Sequence, residues 1–295
     1  MRKSKVISAK KFVIGTANFN MKYGLNNKKN FFKKKTINKI LNIAKKNKIF
    51  YLDTARTYNN VEKVLGNFNL DKFKIITKIK NIKLNKNIYN FIQNDILKSI
   101  YDLRIKNFYG LLIHNPNDLR KKRGKEIYNC LLNLKRKGLI KKIGYSINSP
   151  NDLNYLYKKF KPDLIQTPLN VFDQRIIHSG WIKKLKKDKV EIHARSIFLQ
   201  GLLLRRRGNL PKQFYKFKNT FDKWYKWLDK NNSSALNACL NFVCSKNEIK
   251  KIIFGIDNTK QLNDILSIKK NNFLNYTNLY SNNTNLIMPN KWRIK

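Results

Sequence analysis

Residues 36–58 read Thr36-Ile37-Asn38-Lys39-Ile40-Leu41-Asn42-Ile43-Ala44-Lys45-Lys46-Asn47-Lys48-Ile49-Phe50-Tyr51-Leu52-Asp53-Thr54-Ala55-Arg56-Thr57-Tyr58, and Phe73-Lys74-Ile75-Ile76-Thr77-Lys78 follows shortly after. Ile37, Ile40, Leu41 and Ala44 recur at the spacing of one buried helix face, so Thr36 to Lys48 is expected to be a helix. Ile49 to Asp53 and Phe73 to Lys78 are short β-branched runs and read as strands. Working outward, the same alternation predicts strands at Phe12 to Gly15, Phe108 to His114, Ile140 to Tyr145, Leu164 to Gln166, Val190 to Arg195 and Lys251 to Gly255. Asn87 to Leu103 carries a second amphipathic pattern, and Gly138 reads as the stop after a helix ending at Lys137. Lys212 to Ser245 reads as two helices broken near Asn231-Asn232. Strand signals separated by helix signals at intervals of roughly thirty residues predict an α/β fold, a single (β/α)8 TIM barrel, rather than an open doubly wound sheet. No Pro/Gly-rich linker interrupts the alternation, so one domain is expected: barrel over about 1–270 and a short C-terminal tail, 271–295, laid over it.

The chain has 295 residues, with Lys+Arg 64 against Asp+Glu 17 and a formal net charge of +47. A hydrophobic fraction of 42% with 12% aromatics nevertheless excludes a chain too polar to bury a core. The charge invites a polyanion partner, but lysines occur in every expected helix beside abundant asparagine and isoleucine, all encoded by A/T-rich codons. We therefore read the charge as compositional and expect no specific nucleic-acid partner; Arg205-Arg206-Arg207 is the local exception. Cys130, Cys239 and Cys244 lack metal-like spacing and lie among apolar neighbours, so they read as buried thiols in a reducing compartment. The basic start, Met1 to Lys11, is not followed by a signal-peptide core, and no run is apolar enough to span a membrane. A cytoplasmic protein, a monomer or weak homo-oligomer, is expected, with no metal, because no His, Cys, Asp or Glu cluster has ligand spacing.

In such a barrel the chemistry belongs at the C-terminal strand ends. Asp53, Lys78 and His114 close three successive strands, and Tyr58 follows Asp53 in the loop. Taken singly they are a helix cap, a solvated lysine and a core histidine. Taken together they have a purpose: a lysine buried at a strand end needs an anion, which Asp53 on the adjoining strand can supply. A tyrosine beside that ammonium has its phenolate favoured, which suits a proton donor to a carbonyl oxygen.

These residues, with Gly15-Thr16-Ala17-Asn18, Asp53-Thr54-Ala55 through Glu62 and Leu65-Gly66, Gly144-Tyr145-Ser146, Gln166-Thr167-Pro168-Leu169-Asn170 and Gly255-Ile256-Asp257-Asn258, resemble the aldo/keto reductase family over nearly the whole chain. The resemblance implies reduction of an aldehyde or ketone by NADPH, with Tyr58 as general acid, Lys78 and Asp53 tuning it, and His114 orienting the carbonyl. It also implies that Ser146 and Gln166, with Asn170 nearby, hold the nicotinamide amide. Thr16, Ala17, Asp53, Arg195 and Ser196 would flank the cofactor, and Gly255, Asp257, Asn258 and Gln261 its adenosine phosphates. The alternative is a non-catalytic NADP-binding barrel serving as a regulatory or scaffolding subunit, as some members do.

The sequence departs from the family pattern in places. Asn59 follows the tyrosine where glycine is common, which asparagine can replace in a left-handed conformation. Ser146-Ile147 stands for Ser-Asn, Arg195 for a tyrosine stacked on the nicotinamide, and Gln261 for an arginine at the 2′-phosphate. A cation at Arg195 favours the reduced, less positive nicotinamide. The stretch His193 to Leu204 resembles a bacterial subgroup associated with surface polysaccharides, which points to a sugar carbonyl. Trp181, Trp224, Tyr225 and Trp227 are sugar-stacking candidates whose plainer reading is helix core; His178 and His193 read as structural.

Overall fold

Eight strands form in chain order: β1 Phe12–Gly15, β2 Tyr51–Asp53, β3 Lys74–Ile79, β4 Phe108–Ile113, β5 Ile140–Ser146, β6 Leu164–Pro168, β7 Glu191–Arg195 and β8 Ile249–Phe254. Each pairs in parallel with the next, and β8 returns to β1, so the sheet closes into a (β/α)8 barrel in the computed structural model. The structure describes residues 6–21, 24–25, 32–79, 82, 87–271 and 275–292. Met1 to Lys5 of the basic start read above lie outside the described residues, as do 272–274 and 293–295 of the tail.

The helix Lys34–Lys46 buries Ile37, Ile40, Leu41 and Ala44, the face its sequence presents. β2 begins two residues later than expected, because the Ile49 N–H closes the preceding helix on the Ala44 carbonyl instead of joining the sheet. Asn87 caps Ile88–Leu103 by accepting the Asn90 N–H, and Gly138 takes the left-handed φ of 74° that ends the next helix. The Lys212 to Ser245 stretch divides as read, into a 3-10 turn Lys212–Phe217 and helices Lys218–Lys230 and Ala235–Cys244.

Inside the barrel, Ile76, Leu112 and Leu164 form a dry layer, with Tyr51 and Tyr109 packed beneath it. Side chains two residues further along share the same face of each strand, so Lys78, His114 and Gln166 stand directly above that layer. Gly144 allows β5 and β6 to approach: a Cβ there would lie 1.7 Å from the Leu164 carbonyl oxygen. A polar floor closes the opposite mouth, where Glu191 accepts from the Tyr109 hydroxyl, pairs with Lys142 and meets the fully buried His193. The tail packs on the barrel: Leu286 and Ile287 are buried, the Ser281 N–H reaches the Phe172 carbonyl at 2.9 Å, and Trp292 packs edge-on against Phe214. Cys130 and Cys239 are buried but Cys244 only half so, a correction to the expectation for all three. Burial pushes the Cys130 and Cys244 thiols up to about 11. No helix among the described residues is long and apolar enough to cross a membrane.

Candidate active site

Asp53 ends β2 and Lys78 lies one residue before the end of β3, and the two side chains, 6% and 3% exposed, pair at 2.6 Å. Lys78 Nζ also donates to the Thr54 carbonyl at 2.9 Å. Burial lowers the lysine's pKa and Asp53 opposes that shift, leaving it below its ordinary value. The other Asp53 oxygen accepts from Gln166 Nε2 across the barrel mouth at 2.5 Å. The Tyr58 ring lies 5.4 Å from Lys78 Nζ and edge-on to the His114 ring at 6.3 Å. The His114 imidazole, bonded through Nδ1 to Thr57 Oγ1 at 3.3 Å, is pushed down to about 4 by burial first and then by the Lys78 and Arg195 charges. It is neutral at physiological pH and suited to hydrogen-bonding an uncharged carbonyl. The four residues singled out in the sequence thus converge.

What holds the Tyr58 loop is a set of residues to which sequence reasoning gave no role. Arg56 pairs with Glu62 at 2.8 Å, Asp102 at 3.1 Å and Asp95 at 3.3 Å. Glu62, 2% exposed, also accepts from the Thr77 and Ser99 hydroxyls, both at 2.6 Å. Through Thr77 the loop is fastened to β3 beside Lys78. The Asp53 to Glu62 stretch contains both ends of this tie, but its partners Asp95, Ser99 and Asp102 on the helix Ile88–Leu103 carry no sequence signal linking them to it. The left-handed residue of the loop is Asn60, φ 56°, not Asn59; Asn59 instead exchanges amide-to-carbonyl bonds with Asn20.

Above these residues opens a cleft of about 1210 Å³ running from Tyr58 and His114, past Ser146, Gln166, Arg195 and Ser196, to Gly255, Asp257 and Gln261. Thr16 and Ala17 line it, with the Thr16 hydroxyl already bonded to the Asp53 carbonyl. Gln166 Oε1 is buried with no hydrogen-bond partner among the described residues, an acceptor left over for a ligand amide. Asn170 is fully engaged: it accepts from the Phe172 and Asp173 N–H groups and donates to the Ser196 carbonyl. Asn258 does not line the cleft; it caps the helix Thr259–Leu266 by accepting the Gln261 N–H. The Gln261 amide accepts from the Asp257 N–H at 2.8 Å and donates to its carboxylate, which also accepts from Asn18. Arg205, Arg206 and Arg207 line the outer cleft, and Arg205 Nε has no partner among the described residues.

The sequence matches the profile of the aldo/keto reductase family over residues 11–277. The chain belongs to that family. Among solved structures, it superimposes on an aldo-keto reductase from Bacillus halodurans in its holo form with a TM-score of 0.69, 18% identity and 90% of each chain covered. A glycerol dehydrogenase from Gluconobacter oxydans gives 0.66 at 21% identity, with 88% of each chain covered. Comparison with curated protein sequences gives no match. Family membership makes this protein an oxidoreductase of carbonyl compounds that works with a nicotinamide cofactor.

In this aldo/keto reductase the loop after β7 is strained. Ser196, Leu199 and Gln200 take positive φ values of 57°, 47° and 52° before Gly201 at 86°. Non-glycine residues held there cost of order 1–3 kcal/mol each and cluster where a ligand needs the backbone shaped. The tryptophans are spent elsewhere: Trp181 packs on Tyr157, and Trp227 stacks between Trp224 and Tyr276. Of the four aromatic candidates only Tyr225 reaches the cleft.

Proposed function

We propose that this protein is an NADPH-dependent carbonyl reductase in which Tyr58 is the general acid. The observation that carries this reading is the water-sealed Lys78–Asp53 pair, with the Tyr58 ring 5.4 Å from the ammonium and a neutral histidine beside it. The bound nicotinamide supplies the hydride. Tyr58 gives its proton to the carbonyl oxygen as the alkoxide forms, and Lys78, positive and desolvated, stabilises the phenolate left behind. Asp53 holds Lys78 in place, and His114 directs the carbonyl oxygen toward the phenol. The Ser146 hydroxyl and the unpartnered Gln166 oxygen fit the donor and acceptor ends of a carboxamide.

The preference for NADPH rests on the outer cleft. Gln261 is engaged by Asp257, so attraction for an extra phosphate falls to the arginine run 205–207, of which Arg207 already pairs with Asp229 at 2.6 Å. Asn258 acts there as a helix cap rather than a direct ligand. The sugar-carbonyl reading rests on the loop sequence alone, since the tryptophans that could stack on a sugar do not line the cleft: Trp224 is buried, and Trp181 and Trp227 pack half-buried on other aromatic rings. We place the activity in the cytoplasm, consistent with the three free thiols.

The test is Tyr58→Phe assayed on sugar, aliphatic and aromatic carbonyls by NADPH oxidation, alongside fluorescence titration of cofactor. Turnover falls about 10²–10⁴-fold with NADPH affinity unchanged. Full activity in Tyr58→Phe rejects the assigned acid; tight NADPH binding by the wild type without turnover on any carbonyl favours the scaffolding role instead.

A further inference from the structure

Arg195 is the cation at the inner end of the cleft whose charge no side chain answers. Five other arginines have carboxylate partners: Arg56, Arg120, Arg123, Arg175 and Arg207. Lys78, facing the same space, has Asp53. Among the described residues Arg195 has only neutral acceptors: Ser146 Oγ at 3.3 Å, Ser196 Oγ at 3.3 Å, the Ile147 carbonyl at 2.8 Å and Asn148 Oδ1 at 2.7 Å. No carboxylate among the described residues lies within ion-pair reach of it. These four bonds come from the ends of β5 and β7 and fix the guanidinium, so its charge is a permanent feature of the site rather than a mobile surface group.

The strand order gives the cleft two sides: Arg195 and Ser196 lie at the end of β7, beside the β8 end with Gly255 and Asp257, whereas Thr57, Tyr58 and His114 follow β2 and β4. A dinucleotide reaching from the outer rim to the reacting end therefore brings its head group in along Arg195, next to the free Gln166 oxygen, and leaves the tyrosine side to the carbonyl compound. The oxidised head group carries a positive charge on its ring that the reduced one lacks. We infer that Arg195 is a specificity-determining residue for cofactor redox state: its unanswered charge makes the site bind the reduced nicotinamide dinucleotide in preference to the oxidised one, which eases release of spent cofactor and lessens its competition with the reduced form. This rests on the proposed reductase function and adds to it a residue that selects the redox state of the cofactor.

A unit charge a few ångströms from a fixed cation in a partly solvated cleft shifts a binding ratio on the order of 10- to 100-fold. The experiment measures dissociation constants of NADPH and NADP⁺ by intrinsic fluorescence and calorimetry for the wild type, Arg195→Met and Arg195→Lys, with thermal melting as a folding control. The wild type binds NADPH more tightly. Arg195→Met reduces that preference at least about 10-fold, mainly by strengthening NADP⁺ binding relative to NADPH, and Arg195→Lys, which keeps the charge but loses the fork, retains most of it. A purely structural role weakens both nucleotides alike, so an unchanged ratio in Arg195→Met overturns the inference. Failure of the wild type to bind either nucleotide overturns the reductase reading and this one with it, whereas tight and equal binding overturns this one alone.

Discussion

Replacing Lys78 by methionine keeps an unbranched side chain one atom shorter and removes its charge. In the wild type its Nζ sits 2.6 Å from Asp53 Oδ2 and 2.9 Å from the Thr54 carbonyl, with both charged side chains almost wholly out of water. The variant leaves Asp53 as a buried carboxylate with, among the described residues, the Gln166 amide alone to answer it. Removing one partner of such a pair costs about 3–5 kcal/mol, because the surviving charge keeps its desolvation penalty and loses its compensation. For a large domain about 2–4 °C accompanies each kcal/mol, so a fall in melting temperature of roughly 6–20 °C is expected. The deficit also depends on pH. An unpaired buried carboxylate has a raised folded pKa, so the stability it retains is present in acid and lost as pH rises through that value. Lys78→Met should therefore lie closest to the wild type near about pH 4 and furthest from it at neutrality. Adding Asp53→Asn removes the stranded charge and should recover more than half the loss, while turnover stays abolished in both. The assay is circular dichroism melting across pH for the three proteins. A single variant that melts within about 2 °C of the wild type at pH 7, or a double variant no more stable than the single, refutes the desolvated pair.

The His114 imidazole should titrate near 4 by NMR, so that it stays neutral and activity attributable to it stays flat between about pH 8 and pH 5.5; a midpoint near the ordinary 6.5 would mean that neither its burial nor the Lys78 and Arg195 charges bear on it. Because its folded pKa is depressed, the unfolded chain binds the extra proton, and stability should fall as pH drops from about 6.5 toward 4. Glu62→Gln should cost about 1–3 kcal/mol by weakening the Arg56 tie and should raise the protease sensitivity of the Tyr58 loop; equal digestion rates would show that the loop is held otherwise. Gly144→Ala should abolish soluble expression, since its Cβ would meet the Leu164 backbone oxygen at 1.7 Å, and a normally folding variant would contradict that approach of β5 to β6.

The barrel was legible because each strand is short, apolar and bounded, and because the period of two then fixes which residues crown it. Asp53, Lys78, Gln166 and Arg195 all reach one mouth for that reason alone. A period of two says which way a side chain leaves its strand but not what it bonds once there. Gln261 could be read as a residue facing the cofactor, but not as one already committed to Asp257, and Arg195 as a stacking cation, but not as one fastened to four neutral acceptors. Arg56 with its three carboxylates was invisible for a related reason, since the helix that supplies Asp95 and Asp102 is joined to the Tyr58 loop only by folding.

The loop between Arg195 and Arg205 is the hardest part to read, and physical chemistry explains why. A left-handed turn usually advertises itself through glycine, yet only Gly201 does so here, while Ser196, Leu199 and Gln200 adopt the same half of the backbone map without any marker in the sequence. Such conformations persist only where surroundings over-determine them. Asn170 supplies part of that constraint by donating to the Ser196 carbonyl, and β6 adds the bond from the Leu169 N–H to the Arg195 carbonyl. The strain and its restraint are therefore encoded about twenty-five residues apart, just past different strands, and meet only in the closed barrel. That arrangement places the shaped backbone in the wall of the cleft, where Ser196, Gln200 and Gly201 line it beside Arg195, so the segment least predictable from local sequence is one that shapes the candidate site.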